Sequence, residues 1–225
     1  MALLQKNLFN SPYAGVFCAT NDSLTLAPPG IPKDDLVDIE IALGTSVKTV
    51  TIGGSRVLGT LLAMNNNGIL VSNIVSSIEI KKLQSLASSF NLALGLLSER
   101  SNAIGNNFLV NDSGGVCNER LTTKSVEIAQ DILGIKLVPK SLNNIDTVGM
   151  VCSVTNKGGI CHPEIVNTEK ALIEDSMQIK TMEGTVNFGM PLLGAGIIAS
   201  SQGAVCGRQS TGVELGRVEE ALKLF

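Results

Sequence analysis

Gly59-Thr60-Leu61-Leu62-Ala63-Met64-Asn65-Asn66-Asn67-Gly68 decides the reading of this chain, because the same design returns along its length. A glycine opens an apolar run, a polar turn ends in a second glycine nine positions on, and another apolar run follows. The spacing recurs from Gly105 to Gly114, from Gly149 to Gly158 and from Gly194 to Gly203. Their turns read Asn111-Asp112-Ser113, Thr155-Asn156-Lys157 and Ser200-Ser201-Gln202. A weaker fifth copy opens at Gly15 and passes through Asn21-Asp22-Ser23 to Leu24, where the second glycine is missing. The leading glycines at 15, 59, 105, 149 and 194 are separated by 44, 46, 44 and 45 residues. A fixed period in this range marks a repeat architecture. Five units account for residues 1–225 as a single domain.

Each unit reads as strand, tight turn, strand, helix, strand. The turns carry the hairpin signal in which glycine tolerates positive φ. Helices are expected over 32–43, 76–90, 122–133, 167–177 and 211–224. Ser76 with Glu79, and Thr211 with Glu214, have capping-box spacing. Pro32 ahead of Lys33-Asp34-Asp35 places proline and acids in a first turn. Ile80, Leu83, Ala87 and Phe90 share one helical face. The remaining strands are expected over 47–52, 92–97, 136–139 and 178–182. No strand follows the last helix, whereas 2–9 supplies a strand ahead of the first glycine. If that strand completes the fifth unit, the repeats close into a ring around a pseudo-fivefold axis and leave no exposed sheet edge. Strands converging on such an axis leave little room for side chains at their start, which accounts for the leading glycines. An open solenoid would need polar capping repeats, and neither end looks like one.

Composition narrows the function. With 44% hydrophobic residues, no Trp and one Tyr, the core is aliphatic. A formal net charge of -3 disfavours direct, charge-driven binding of RNA or DNA and leaves room only for a local basic patch. No apolar run reaches membrane-spanning length; the longest, 190–200, is broken by glycines. The N-terminus lacks the apolar core of a signal peptide. Five Cys without a CxxC pair fit a reducing compartment. A cytoplasmic protein is expected, with no membrane partner.

Five α/β units of this kind resemble the pentein fold, the α/β propeller. Within it the chain resembles the translation initiation factor 6 family of ribosome anti-association factors, of the archaeal type. The resemblance rests on 51–59 (Thr-Ile-Gly-Gly-Ser-Arg-Val-Leu-Gly), on 101–106 (Ser-Asn-Ala-Ile-Gly-Asn) and on 155–163 (Thr-Asn-Lys-Gly-Gly-Ile-Cys-His-Pro). It continues through 184–187 (Gly-Thr-Val-Asn) and 210–215 (Ser-Thr-Gly-Val-Glu-Leu) and covers nearly all of the chain. With the chain ending at Phe225, the longer polar tail of eukaryotic members is not expected.

The resemblance implies binding to the intersubunit face of the large ribosomal subunit, chiefly through ribosomal protein uL14 near the sarcin–ricin loop. Steric exclusion of the small subunit follows, with a possible role in large-subunit biogenesis and release by a GTPase. A monomer without cofactor, metal or catalysis is the expectation. In a ring, the residues flanking the leading glycines share one rim. The candidate subunit contacts are therefore Tyr13, Arg56, Thr60, Asn102, Asn106 and Met150, with Asn187 in the loop leading to the fifth copy. Asparagines beside such glycines are equally plain turn-formers.

The alternative is a guanidino-group-modifying pentein enzyme with a Cys nucleophile and a His base. Its candidates here are Cys161, Cys206 and the single His162. Repeat register opposes it. Cys117, Cys161 and Cys206 each lie three residues after a turn glycine, and Cys18 and Cys152 three after a leading glycine. Thiols at equivalent strand positions read as core fillers. One His and scattered Cys give no metal-ligand spacing. Gly194-Ala195-Gly196 lacks the helix a dinucleotide site needs. Sequon matches at Asn21 and Asn111 fall in hairpin turns.

Overall fold

The structure is a computed structural model that describes residues 2–225. A first strand, β1 (Leu3–Gln5), precedes five copies of one element order. The first copy comprises α1 (Ala14–Phe17), β2 (Ala19–Thr20), β3 (Leu24–Ala27), α2 (Lys33–Leu43) and β4 (Ser46–Thr49). The second comprises α3 (Leu58–Leu61), β5 (Leu62–Met64), β6 (Gly68–Ser72), α4 (Ser77–Ser89) and β7 (Ala93–Leu97). The third comprises α5 (Ile104–Asn107), β8 (Phe108–Val110), β9 (Gly115–Cys117), α6 (Thr123–Leu133) and β10 (Leu137–Pro139). The fourth comprises α7 (Val148–Val151), β11 (Cys152–Val154), β12 (Gly159–Cys161), α8 (Asn167–Met177) and β13 (Thr181–Glu183). The fifth comprises α9 (Leu193–Gly196), β14 (Ile197–Ala199), β15 (Ala204–Cys206) and α10 (Gly212–Leu222).

The molecule is thus mixed α/β, with five small three-stranded sheets. In each, an antiparallel hairpin pairs through its second strand with a parallel third. The fifth sheet takes its third strand from the other end of the chain: β1 runs parallel to β15, with Leu3 opposite Ala204 and Gln5 opposite Cys206.

Local chemistry sets the long helices where their caps stand. Ser76 and Thr211 each form both halves of a capping box, with Glu79 and Glu214. Pro32 is the N-cap of α2, and Asp34 and Asp35 lie in its first turn. The left-handed C-caps Gly44 and Gly134 stop α2 and α6.

Two expectations are corrected. The leading glycines do not open strands; each lies in a one-turn helix ahead of its inner strand. A helical turn advances about 1.5 Å per residue against about 3.3 Å for a strand, so it fits where five backbones crowd together. The turn glycines Gly68, Gly114, Gly158 and Gly203 do not have positive φ. They are small because a long helix ends on top of them. A Cβ at those positions would collide with the carbonyl oxygens of Ile132, Ser176, Ala221 and Ala42 respectively. The turns themselves are held by their first side chain. Asn21, Asn65 and Asn111 accept from the backbone N–H groups two and three residues on through Oδ1. Thr155 and Ser200 do so through Oγ1 and Oγ. The odd residue of the first copy, Leu24, is fully buried against a longer helix, in a cluster with Leu83 and Ala87 of α4.

Apolar burial, the main favourable contribution to folding, is divided among five clusters, each spanning two consecutive units. One joins Leu24 and Leu26 to Leu58, Ile69 and Leu83, and another joins Ile198 and Val205 of the fifth unit to Ala14, Ile39 and Leu43 of the first. The remaining three join units two and three, three and four, and four and five.

Candidate functional site

The five one-turn helices touch in cyclic order. A Cβ on Gly59 would overlap the carbonyl oxygen of Gly15; the same holds for Gly105 on Gly59, Gly149 on Gly105, Gly194 on Gly149 and Gly15 on Gly194. The inner strands β2, β5, β8, β11 and β14 adjoin in the same order. They surround a cavity of about 130 Å³ lined by the five leading glycines, by Cys18, Thr20, Cys152 and Ser153, and by apolar side chains.

The turn end of this cavity is closed by polar side chains from all five units. Asn66 Nδ2 donates to Asp22 Oδ2 at 3.1 Å and to Asp112 Oδ2 at 2.7 Å. Asn156 Nδ2 donates to the same two oxygens at 2.9 and 2.7 Å. Ser201 Oγ donates to Asp22 Oδ2 at 2.9 Å. Burial pushes the Asp22 carboxyl up, but hydrogen bonds from Ser201, Asn66 and Asn156 outweigh it and hold the group below its usual value. Both carboxylates at this mouth are therefore engaged within the fold. Sequence reading missed this cluster, although its signal was present: 22, 66, 112, 156 and 201 each lie seven residues after a leading glycine.

At the opposite end lie the loops that lead into the one-turn helices and the N-termini of the long helices. Tyr13 is the N-cap of α1 and is 44% exposed. Arg56 and Asn102 are exposed in the loops before α3 and α5, and the Arg56 guanidinium lies 5.3 Å from the centre of the Phe9 ring. Thr60, Asn106 and Met150 are half-buried in α3, α5 and α7. The Thr60 hydroxyl donates to Val57 O at 2.8 Å. Its neighbour in the ring, Asn106, makes no side-chain hydrogen bond among the described residues, whereas the adjacent Asn107 is fully buried and bonded to Ser101 and Asn118. Six of the seven candidates thus gather at one rim.

Asn187 does not join them as an exposed contact. It is 8% exposed; its amide donates to Pro12 O at 3.0 Å and its backbone N–H to Ser210 Oγ at 3.0 Å. It anchors the loop, and the following Phe188 projects from it with 84% exposure.

Glutamates tie these loops to the long helices. Glu79 accepts from Thr51 Oγ1 at 2.5 Å, from Gly53 and Gly54 N–H at 3.0 and 2.9 Å, and from Ser76 N–H at 2.8 Å. Burial pushes its carboxyl up, and the donors from Thr51, Gly54 and Ser76 overcome that and lower it to about 2. Glu214 plays the same part for Thr185, Phe188, Gly189 and Thr211.

All five cysteines are buried and free. Burial pushes the thiols of Cys18, Cys117 and Cys206 up to about 12. Cys152, opposite Cys161 across the hairpin, is raised by burial and by that second thiol. None of these four is poised as a thiolate. His162 Nδ1 accepts from Glu164 N–H at 3.1 Å and lies 3.1 Å from Asn143 Nδ2, so it serves a turn. Among the described residues no group of three or more His, Cys, Asp or Glu gathers to hold a metal, and no helix is long and apolar enough to cross a membrane.

Comparison with known proteins matches residues 3–221 to the model of the eIF-6 family. A translation initiation factor 6 of Haloquadratum walsbyi is 36% identical over 220 residues, covering 98% of this chain and 96% of its own length. The factor of the same name from Methanosarcina mazei is 34% identical over 216 residues, covering 96% of each chain. That from Methanocaldococcus jannaschii is 32% identical over 226 residues, covering 99% of each.

Proposed function

The chain belongs to the eIF-6 family, and on that premise we propose that it binds the large ribosomal subunit on its intersubunit face and sterically blocks joining of the small subunit. The relatives' name makes a role in translation initiation the premise; anti-association is the reading built on it. The observation that carries it is the rim of half-exposed residues around the glycine ring, in a chain that matches the family from 3 to 221. We read the five seams as those of an α/β propeller, a pentein closed around a pseudo-fivefold axis. Such a body is stiff because every unit is gripped on both sides, and stiffness is what a steric block needs. Ribosomal protein uL14 is the proposed principal contact, reached by Asn106, whose amide is free, with Thr60, Met150 and Arg56 around it. A role in large-subunit maturation and removal by a GTPase belong to the same reading.

The enzyme alternative has little support. Four of its five thiols are held protonated by burial, and the carboxylates at the cavity mouth already accept from amides.

Gradient sedimentation tests the proposal. Added protein should shift joined subunits to separate ones and travel with the large subunit. Asn106→Arg should weaken co-sedimentation about tenfold or more while leaving the melting curve unchanged. Joined subunits that persist at saturating protein would defeat the proposal.

A further inference from the structure

Each of the five sheets ends on an outer strand, β1, β4, β7, β10 or β13, whose far edge pairs with no strand among the described residues. Such an edge is a template for another strand, and proteins blunt it with charge, proline, shortness or a covering side chain. In β4, Val47 N–H donates to Glu40 Oε2 at 2.9 Å, and Lys48 adds charge. In β10, Leu137 N–H donates to Gln130 Oε1 at 3.0 Å, and Pro139 has no N–H to offer. In β13, Thr181 N–H donates to Glu174 Oε1 at 2.8 Å, and Glu183 O accepts from Arg217 Nε at 3.0 Å. The strand β1 has only three residues.

None of these devices protects β7. It is the longest outer strand, Ala93–Leu97, and reads Ala-Leu-Gly-Leu-Leu without a charge. Ala93 N–H donates to Asn67 O and Leu97 O accepts from Asn73 N–H, so residues 93, 95 and 97 face β6. Leu94 and Leu96 therefore turn their N–H and C=O groups to the free edge, where no loop group takes them. In the other units the covering side chain lies seven residues before the N–H that it accepts from. At that place before Leu94 stands Ala87, which has nothing to accept with. Around it, exposed Gln84, Ser88 and Asn91 carry no charge to keep a second strand away. Leu94 packs with Leu83 and Ala87 of α4, and Leu96 stands on the same face of the strand with 47% exposure. Gly95 lies on the other face, under Ile132.

Outward groups on the residues either side of one glycine make this edge its own complement. Turned about a two-fold axis through Gly95, the edge presents Leu96 where Leu94 needs a partner, and the reverse. That is the self-matching condition of a two-fold dimer.

We propose that β7 is a self-association edge, to which a second copy of this chain adds its own β7 in antiparallel register. Leu94 exchanges N–H···O bonds with Leu96 of the second copy, and Leu96 does so with its Leu94. The exposed Leu96 side chain is covered by that leucine. The contact is small, so association is weak, and the monomer expected from the sequence prevails in dilute solution. It uses none of the rim candidates and does not rest on the ribosomal reading.

Analytical ultracentrifugation of the full chain from about 1 µM to 1 mM tests it, the range in which a small interface dissociates. The wild type should pass reversibly from monomer to dimer. Leu96→Pro removes an outward N–H and copies Pro139, at the equivalent place in the third unit; it should stay monomeric throughout. Leu96→Thr copies Thr49 of the first unit and keeps the N–H. It should weaken association about tenfold or more through lost apolar cover. In the wild type, hydrogen exchange read by NMR should slow at the Leu94 and Leu96 amides as protein concentration rises. A wild type that is monomeric at every concentration overturns the proposal. So does a dimer that survives in Leu96→Pro, or exchange at Leu94 and Leu96 that ignores concentration. This last readout needs no variant, so it decides the matter should Leu96→Pro fail to fold.

Discussion

The carbonyl oxygen of Gly15 occupies the place that a Cβ on Gly59 would need, and the carbonyl of Cys18 closes the same space from the other side. Neither neighbour is a flexible side chain that could swing away. Gly59→Ala should therefore destabilise by about 1–3 kcal/mol, the usual cost of forcing extra volume into a packed core. Gly216 is the control. It lies exposed within α10 with nothing near its missing Cβ. Gly216→Ala should stabilise by about 0.5–1 kcal/mol through helix propensity. Urea unfolding of the two variants should move in opposite directions; equal shifts would contradict the crowding at the ring.

Asn65 serves two turns at once. Its Oδ1 accepts from Asn67 and Gly68 N–H at 3.0 and 3.1 Å, while its Nδ2 reaches Asn111 O at 3.2 Å and Leu133 O at 2.9 Å in the next unit. Asn65→Ala strands buried partners on both sides and should cost about 2–4 kcal/mol. Asn65→Ser, which imitates Ser200, keeps a turn acceptor and should cost less. Denaturation midpoints ranked serine below alanine would show that the local turn contributes nothing.

Glu79 makes stability depend on acid. Its carboxyl is lowered in the folded state to about 2, so the unfolded chain takes up the proton first as pH falls. The stability it contributes is fully present above the ordinary carboxylate range, near 4–4.5, and is lost as pH drops towards about 2. Glu79→Gln should be less stable than the wild type at pH 7, and the gap should narrow between about pH 4.5 and 2. Thermal melts across that range measure it; a gap independent of pH would mean that the charge is irrelevant to the cap.

The thiols should be silent in the folded protein. Cys18, Cys117 and Cys206 are buried with their ionisation pushed up to about 12. At pH 8 iodoacetamide should label native protein far more slowly than urea-unfolded protein, by at least about a hundredfold, since reaction needs an exposed thiolate. Comparable rates in the two states would revive a reactive cysteine and with it the enzymatic reading.

Much of the molecule could be read before it was folded, and the reason differs by element. The helix starts at Ser76 and Thr211 were legible because a cap and its glutamate are three residues apart, within one turn. The period of the leading glycines was legible because each unit repeats one steric demand. Their helical conformation was not, since a short apolar run after glycine suits a strand equally well. The turn glycines were assigned the wrong cause for a related reason: Gly68 is small on account of Ile132, which lies far along the chain. At the rim, register alone located Tyr13, Arg56, Thr60, Asn102, Asn106 and Met150. It could not show the burial of Asn187, which depends on Pro12 and Ser210.

From the linear order of residues came the five units, their caps, the aliphatic core and the family, because these depend on neighbours within a few positions or on a period. Tertiary structure alone decided which polar groups remain free. Asp22 meets Asn156 across 134 positions, Phe188 N–H is held by Glu214, and Glu79 is spent on the amides of a loop 25 residues away. A side chain's availability is set by what folding brings against it, and those partners lie a unit or more away in the chain.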